Sequence, residues 1–232
     1  MAIWTRVGEF LSRVAGEAVS TVIEAVRTVF EGDPETRRQV GFSVAMIALS
    51  AKMAKADGIV SDKEIAAFRQ LFEIPEKETR NVARLYNLAK QDVAGYQAYA
   101  RKVVKLFPED REILEDVMNG LFHIAKADGA IHESEMAFMD EIANIFEIDE
   151  GHYARIRRLH LEPGGGDPYV QLEADESWSD EQIKRRYYRL VSENHPDRII
   201  ARGVPPEFVA IANDRMAAIN KAWADIKLER GI

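Results

Sequence analysis

The chain has 232 residues, 47% apolar and 30% charged, a balance that suits one large or two modest globular domains. It contains no Cys, which excludes disulfides and thiolate metal sites and gives no sign of an oxidising compartment. A formal net charge of −8 argues against a nucleic-acid partner, because such proteins carry a basic surface.

The apolar positions Ile3, Val7, Leu11, Val14, Ala18, Val22, Val26 and Val29 recur at three-to-four spacing. They predict one amphipathic helix over residues 3–30, with Trp4, Phe10, Val19, Ile23 and Phe30 widening its stripe. Arg13, Glu17, Glu24 and Arg27 interrupt the stretch, so it is neither a secretory signal nor a membrane span, and the expected location is the cytoplasm. As a unit, residues 1–33 suit a helix that packs on the next domain or on a second copy of itself. A peripheral contact with the inner membrane through Trp4 and Phe10 is the competing reading, weakened by a polar face that mixes acids with bases. Gly32-Asp33-Pro34 ends this helix and starts another, with Asp33 as cap and Pro34 in the first turn.

Residues 34–162 contain an internal duplication. Ala54-Lys55-Ala56-Asp57-Gly58 returns as Ala125-Lys126-Ala127-Asp128-Gly129, and each copy leads to an amphipathic stretch ending in Phe-Glu-Ile, at Phe72 and at Phe146. Breaks are expected at Pro75, Gln91-Asp92 and Pro108, with Asp149 capping a last helix to about Leu161. This is an all-α domain with a two-fold repeat rather than an array of short repeats. Asp57 with Glu64, and Asp128 with Glu135, have the spacing of the back half of an EF-hand loop. Met53, Lys55, Ile124 and Lys126 stand where its first oxygen ligands belong, so an ordinary EF-hand is rejected. Two readings remain. The acids close turns and cap their own helices, or the four carboxylates meet and need a divalent cation to offset their repulsion.

Pro163-Gly164-Gly165-Gly166-Asp167-Pro168 is the clearest boundary: three consecutive Gly disfavour helix, and a linker over 163–168 would free residues 169–232 to reorient. After a helical turn around Tyr169–Leu172, Ser179 and Gln182 form a capping box. The helix they start places Ile183, Tyr187 and Leu190 on one stripe and carries Lys184, Arg185, Arg186 and Arg189, a local reversal of sign in an acidic chain. Pro196 ends this helix at or before His195, leaving His195 and Asp197 on an exposed turn. Pro205-Pro206 restarts a helix whose stripe, Phe208, Ile211, Ala212, Met216, Ile219, Trp223 and Ile226, pairs with the basic helix as a hairpin.

With a basic helix before His195-Pro196-Asp197 and Asn220-Lys221-Ala222-Trp223 near the end, this segment resembles the J-domain of DnaJ-type co-chaperones, whose hallmark is that tripeptide. Val40–Leu161, through its repeated Ala-Asp-Gly, resembles the TerB-like domain of tellurite-resistance proteins and DjlA-type J-proteins, an all-helical fold regarded as a candidate metal binder. The order of the two resembles DjlA, although DjlA proteins typically begin with a membrane span. The resemblance implies a co-chaperone, not an enzyme, that recruits a DnaK-type chaperone and stimulates its ATP hydrolysis. Asp197 would pair with an Arg of the chaperone, His195 and Pro196 would shape its turn, and Lys184, Arg185, Arg186 and Arg189 would meet an acidic surface. The TerB-like domain would select the client or the location. The alternative is a metal-dependent stress sensor using Asp57, Glu64, Asp128 and Glu135. No Ser-His-Asp spacing or phosphate-cradling Gly loop supports a hydrolase.

Overall fold

Asp33 and Pro34 start the helix around which the first half of the molecule is built. The Thr36 amide donates to Asp33 Oδ1 at 3.0 Å, and Pro34 occupies the first turn, where its missing N–H costs nothing. A computed structural model describes residues 3–14, 17–56, 72, 74–91, 95–108, 110–126, 129–161 and 166–232. Every regular element among them is helical: α1 (Ile3–Arg13), α2 (Val19–Val29), α3 (Pro34–Ala56), α4 (Glu76–Gln91), α5 (Tyr96–Leu106), α6 (Arg111–Ala125), α7 (Glu133–Ile145), α8 (Glu150–Leu161), α9 (Pro168–Gln171), α10 (Asp180–Glu193), α11 (Pro196–Ala201) and α12 (Val209–Arg230), with a 3₁₀ turn at Pro206–Phe208. The all-α expectation holds. Helix ends fall where caps and prolines placed them, beside Pro75, Gln91, Pro108 and Asp149. Among the described residues no helix is long and apolar enough to cross a membrane.

The chain divides into two compact units, Met1–Ile148 with Arg202–Phe208, and Asp149–Ala201 with Val209–Ile232. In the first, α3 packs against α1, α2, α4, α5, α6 and α7. Its residues 40–54 are buried on every face, as a central helix requires. Two polar members of that run, Ser43 and Lys52, are accommodated locally. Ser43 Oγ donates to the Gln39 carbonyl at 2.9 Å, and the Lys52 ammonium lies 4.7 Å from the centre of the Tyr99 ring.

The single helix expected over residues 3–30 is two. Ala18 is extended (φ −65°, ψ 148°) ahead of α2, and the sequence between the helices holds Gly16, a poor helix former. Divided in this way, α1 packs on α3 and α4 while α2 packs on α3 and α5, contacts that one straight rod would not combine. Trp4 and Phe10, which suggested a membrane-surface contact, are each 1% exposed. The Trp4 indole donates to the Phe72 carbonyl at 2.6 Å.

Phe208 also departs from expectation. It belongs to the first unit rather than to the hairpin, with its ring centroid 4.7 Å from Phe42, 4.5 Å from Phe72 and 6.3 Å from Trp4. Within that unit Arg202 pairs with Glu112 and, at 3.2 Å, with Asp116. Gly203 has φ +107°, and a Cβ there would sit 2.5 Å from Arg38 Cβ, so only glycine fits.

The second unit has a small core of Tyr169, Leu172, Ile183, Leu190, Ile219, Ala222 and Ile226, rimmed by Trp178, Tyr187, Val191 and Trp223. Helices α9, α10 and α11 all pack on α12. The unit begins at Asp149, ahead of the Pro/Gly stretch, because α8 packs on α9 and Arg155 of α8 pairs with Glu173 beyond α9.

Candidate docking surface

Helix α10 starts as the sequence specifies. Ser179 N–H donates to Gln182 Oε1 at 2.9 Å and Gln182 N–H to Ser179 Oγ at 3.4 Å, a reciprocal box that occupies orphan amides. Ile183 and Leu190 are buried, and Tyr187 stacks on Trp223 of α12 at 5.2 Å and 17°, its hydroxyl donating to Asn220 Oδ1 at 3.1 Å. These contacts fix which way α10 faces. Lys184, Arg185, Tyr188 and Arg189 point to solvent, with Tyr188 59% exposed. Its place four residues after Lys184, on the same helical face, was the signal for its exposure.

Arg186 does not join that face. Its side chain is 10% exposed, its guanidinium pairs with Glu173, and its Nε donates to the Leu172 carbonyl at 3.3 Å. Burial pushes its pKa below the ordinary guanidinium value, the Arg189 charge adds to this, and Glu193 opposes it. Of the four cations read as one group, Lys184, Arg185 and Arg189 stand outward, and Arg189 makes a loose 3.7 Å pair with Glu193.

The turn that follows is tighter than an open loop. Asn194 caps α10, its amide donating to the Leu190 carbonyl at 2.9 Å. Pro196 then opens α11 rather than a coil, the position at which its fixed φ suits a helix. His195 caps this short helix from its ring: the Asp197 amide donates to His195 Nδ1 at 3.2 Å, while the Arg198 amide donates to the His195 carbonyl at 2.9 Å. An accepting Nδ1 places the proton of the neutral ring on Nε2. Ile199 is 2% exposed and anchors α11, which packs on α12. The Asp197 carboxylate, 3.6 Å from Nδ1, is 90% exposed. The arrangement is a hydrogen-bonded turn presenting one carboxylate next to a helix that presents cations.

The acidic motifs are different in kind. Asp57, Glu64 and Asp128 lie outside the described residues. Glu135 is 2% exposed and accepts the His132 amide at 2.9 Å, capping the start of its own helix α7. Among the described residues no group of three or more His, Asp or Glu is placed to hold a metal ion.

Known proteins can be set beside this geometry. The family model described as tellurite resistance protein TerB matches residues 43–158. The chain is 27% identical over 222 residues to the co-chaperone protein DjlA of Photobacterium profundum, covering 84% of this chain and 79% of that one. It is 25% identical over 266 residues to the co-chaperone protein DjlA of Yersinia pseudotuberculosis, covering 97% and 92%. For the protein of that name from Aliivibrio fischeri the identity is 24% over 234 residues, covering 87% and 83%. No solved structure matches the chain.

Proposed function

We propose that this chain, which belongs to the TerB family and is DjlA-like over most of its length, is a co-chaperone that docks on a DnaK-type chaperone and stimulates its ATP hydrolysis. One observation carries the reading: Asp197 is 90% exposed on a turn whose backbone is braced by the His195 ring. An exposed carboxylate on a turn braced in this way can form a single directional ion pair with a guanidinium of the partner. Lys184, Arg185 and Arg189 would steer an acidic partner surface toward it, a contribution that falls with salt. The hydrolysis is the partner's own chemistry, so on this reading the chain acts as a co-chaperone and not as the hydrolase. The TerB-like region selects client or location.

The test is single-turnover ATP hydrolysis by a DnaK-type chaperone with the full chain added. Wild type accelerates it. Asp197→Asn, which removes one exposed charge and no packing, abolishes the acceleration while circular dichroism stays unchanged. His195→Gln does the same by releasing the turn. Full stimulation by Asp197→Asn would refute the assignment.

A further inference from the structure

Glu173 stands where a glycine would be expected. Its φ is +49°, and the Glu173 amide donates to the Val170 carbonyl at 3.0 Å while the Ala174 amide donates to the Tyr169 carbonyl at 2.9 Å. That bond pair is the Schellman closure of α9, whose left-handed position favours glycine because a Cβ is strained there. The side chain held at this cost has a specific setting. One oxygen of the Glu173 carboxylate is ion-paired with Arg155 from α8 and the other with Arg186 from α10. The three side chains are 25%, 18% and 10% exposed, and the Arg186 Nε is also held by the Leu172 carbonyl. One carboxylate therefore ties α8, the turn after α9, and α10.

We infer that Glu173 is the positioning residue of the docking helix: by holding Arg186 inward against Arg155 it sets the rotation of α10 and keeps Lys184, Arg185 and Arg189 as one ordered face. The inference rests on the co-chaperone reading. Without the Glu173 charge, Arg186 is a largely enclosed cation beside the Arg155 cation, and it swings outward. It would then crowd Arg185 and Arg189 and add a positive charge to the surface. The signature is unusual: affinity falls because the face is no longer ordered, yet the remaining attraction depends more steeply on salt because it carries one more cation.

The experiment compares wild type, Glu173→Gln and Arg155→Gln as full chains in the chaperone ATPase assay at several salt concentrations. Glu173→Gln should raise the half-stimulating concentration about fivefold, leave maximal stimulation unchanged and steepen the salt dependence. Arg155→Gln should shift it less, and the double variant should match Glu173→Gln alone, since both substitutions break one network. An unchanged half-stimulating concentration, or lost maximal stimulation, overturns the proposal. Hydrogen exchange separates this failure from failure of the co-chaperone reading. In Glu173→Gln the amides of α10 should lose about tenfold protection while those of α12 keep theirs, whether or not the wild type stimulates a chaperone. If α10 and α12 loosen together, or neither does, Glu173 does not position the helix.

Discussion

The two units are held together by different means. In the first, residues 40–54 of α3 are enclosed on every side, and the buried ring of Phe208 packs against those of Trp4, Phe42 and Phe72. Apolar area is non-directional, so such a core tolerates small shifts of its helices. The second unit is half the length of the first and has a correspondingly small core. Guanidiniums tie its edges. Arg230, in the last turn of α12, donates to the Tyr169 hydroxyl at 2.8 Å, to the Trp178 carbonyl and Asp180 Oδ1 at 2.9 Å each, and to the Glu176 carbonyl. Arg186 serves α10 in the same way. Directional bonds fix where a helix sits and how it is turned, the property a docking face needs.

The apolar cluster of the first unit is where one substitution costs most. Phe208→Ala should cost the first unit about 3–5 kcal/mol in urea unfolding, the range for deleting a buried aromatic ring. Trp4, itself in that cluster, is the fluorescent reporter. A loss below about 1 kcal/mol would mean that Arg202–Phe208 is not part of this core.

Next comes the polar side. Arg230→Gln should lower the thermal midpoint of the second unit, seen in the near-ultraviolet signals of Trp178 and Trp223, and leave that of the first unit unchanged. The Tyr169 hydroxyl and then the Asp180 carboxylate raise the Arg230 pKa, so the fork stays charged at any working pH. Arg230→Lys should rescue little, because one ammonium cannot reach acceptors spread around a planar fork. Equal loss in both units would show that the division between them is not energetic.

What the sequence made legible follows the same division. Caps and prolines are local, and Asp33-Pro34, Asp149 and the Ser179–Gln182 box start helices where they were expected. Apolar periodicity found the hairpin core from Tyr169 through Trp223. Tertiary choices were hidden. Nothing in the three-to-four spacing of residues 3–30 says that it divides into two helices, the second of which packs on α5. Phe208 continues the stripe of α12 in sequence yet fills a different core. Arg186 reads as one more surface cation until the chain brings Glu173 against it. Pro196 both ends the helix before it and suits the first turn of α11, and the sequence does not separate the two roles.

A smaller effect contrasts two turns of the same geometry. Glu147, with φ 53°, closes α7 as Glu173 closes α9, the Ile148 amide donating to the Ala143 carbonyl at 3.1 Å. Its partner is Arg111 at 2.7 Å, but both side chains are about two-thirds exposed. A surface pair is worth about 0–1 kcal/mol, whereas a left-handed residue with a Cβ costs about 1–2 kcal/mol. Part of that relief is offset by the greater freedom of glycine in the unfolded chain. Glu147→Gly should therefore stabilise the first unit by up to about 1 kcal/mol, and Glu173→Gly should destabilise the second. Urea midpoints of the same sign for both would show that enclosure of the carboxylate does not matter.

The smallest effect lies at the start of α3. The Thr36 hydroxyl and then the Thr36 amide hold the Asp33 carboxyl below its ordinary pKa, burial acts against them, and Arg6 adds a minor attraction. A depressed carboxyl contributes stability above its unfolded pKa and loses it as pH falls through the folded value. Asp33→Asn keeps a competent cap but removes the charge that favours a helix N-terminus. At about pH 7 the wild type should be the more stable, and the difference should vanish as pH falls below the ordinary aspartate range. Urea midpoints across that interval decide it. A difference that persists in acid would mean that Asp33 acts by hydrogen bonding alone, and that its charge adds nothing to the start of the helix on which the first unit is built.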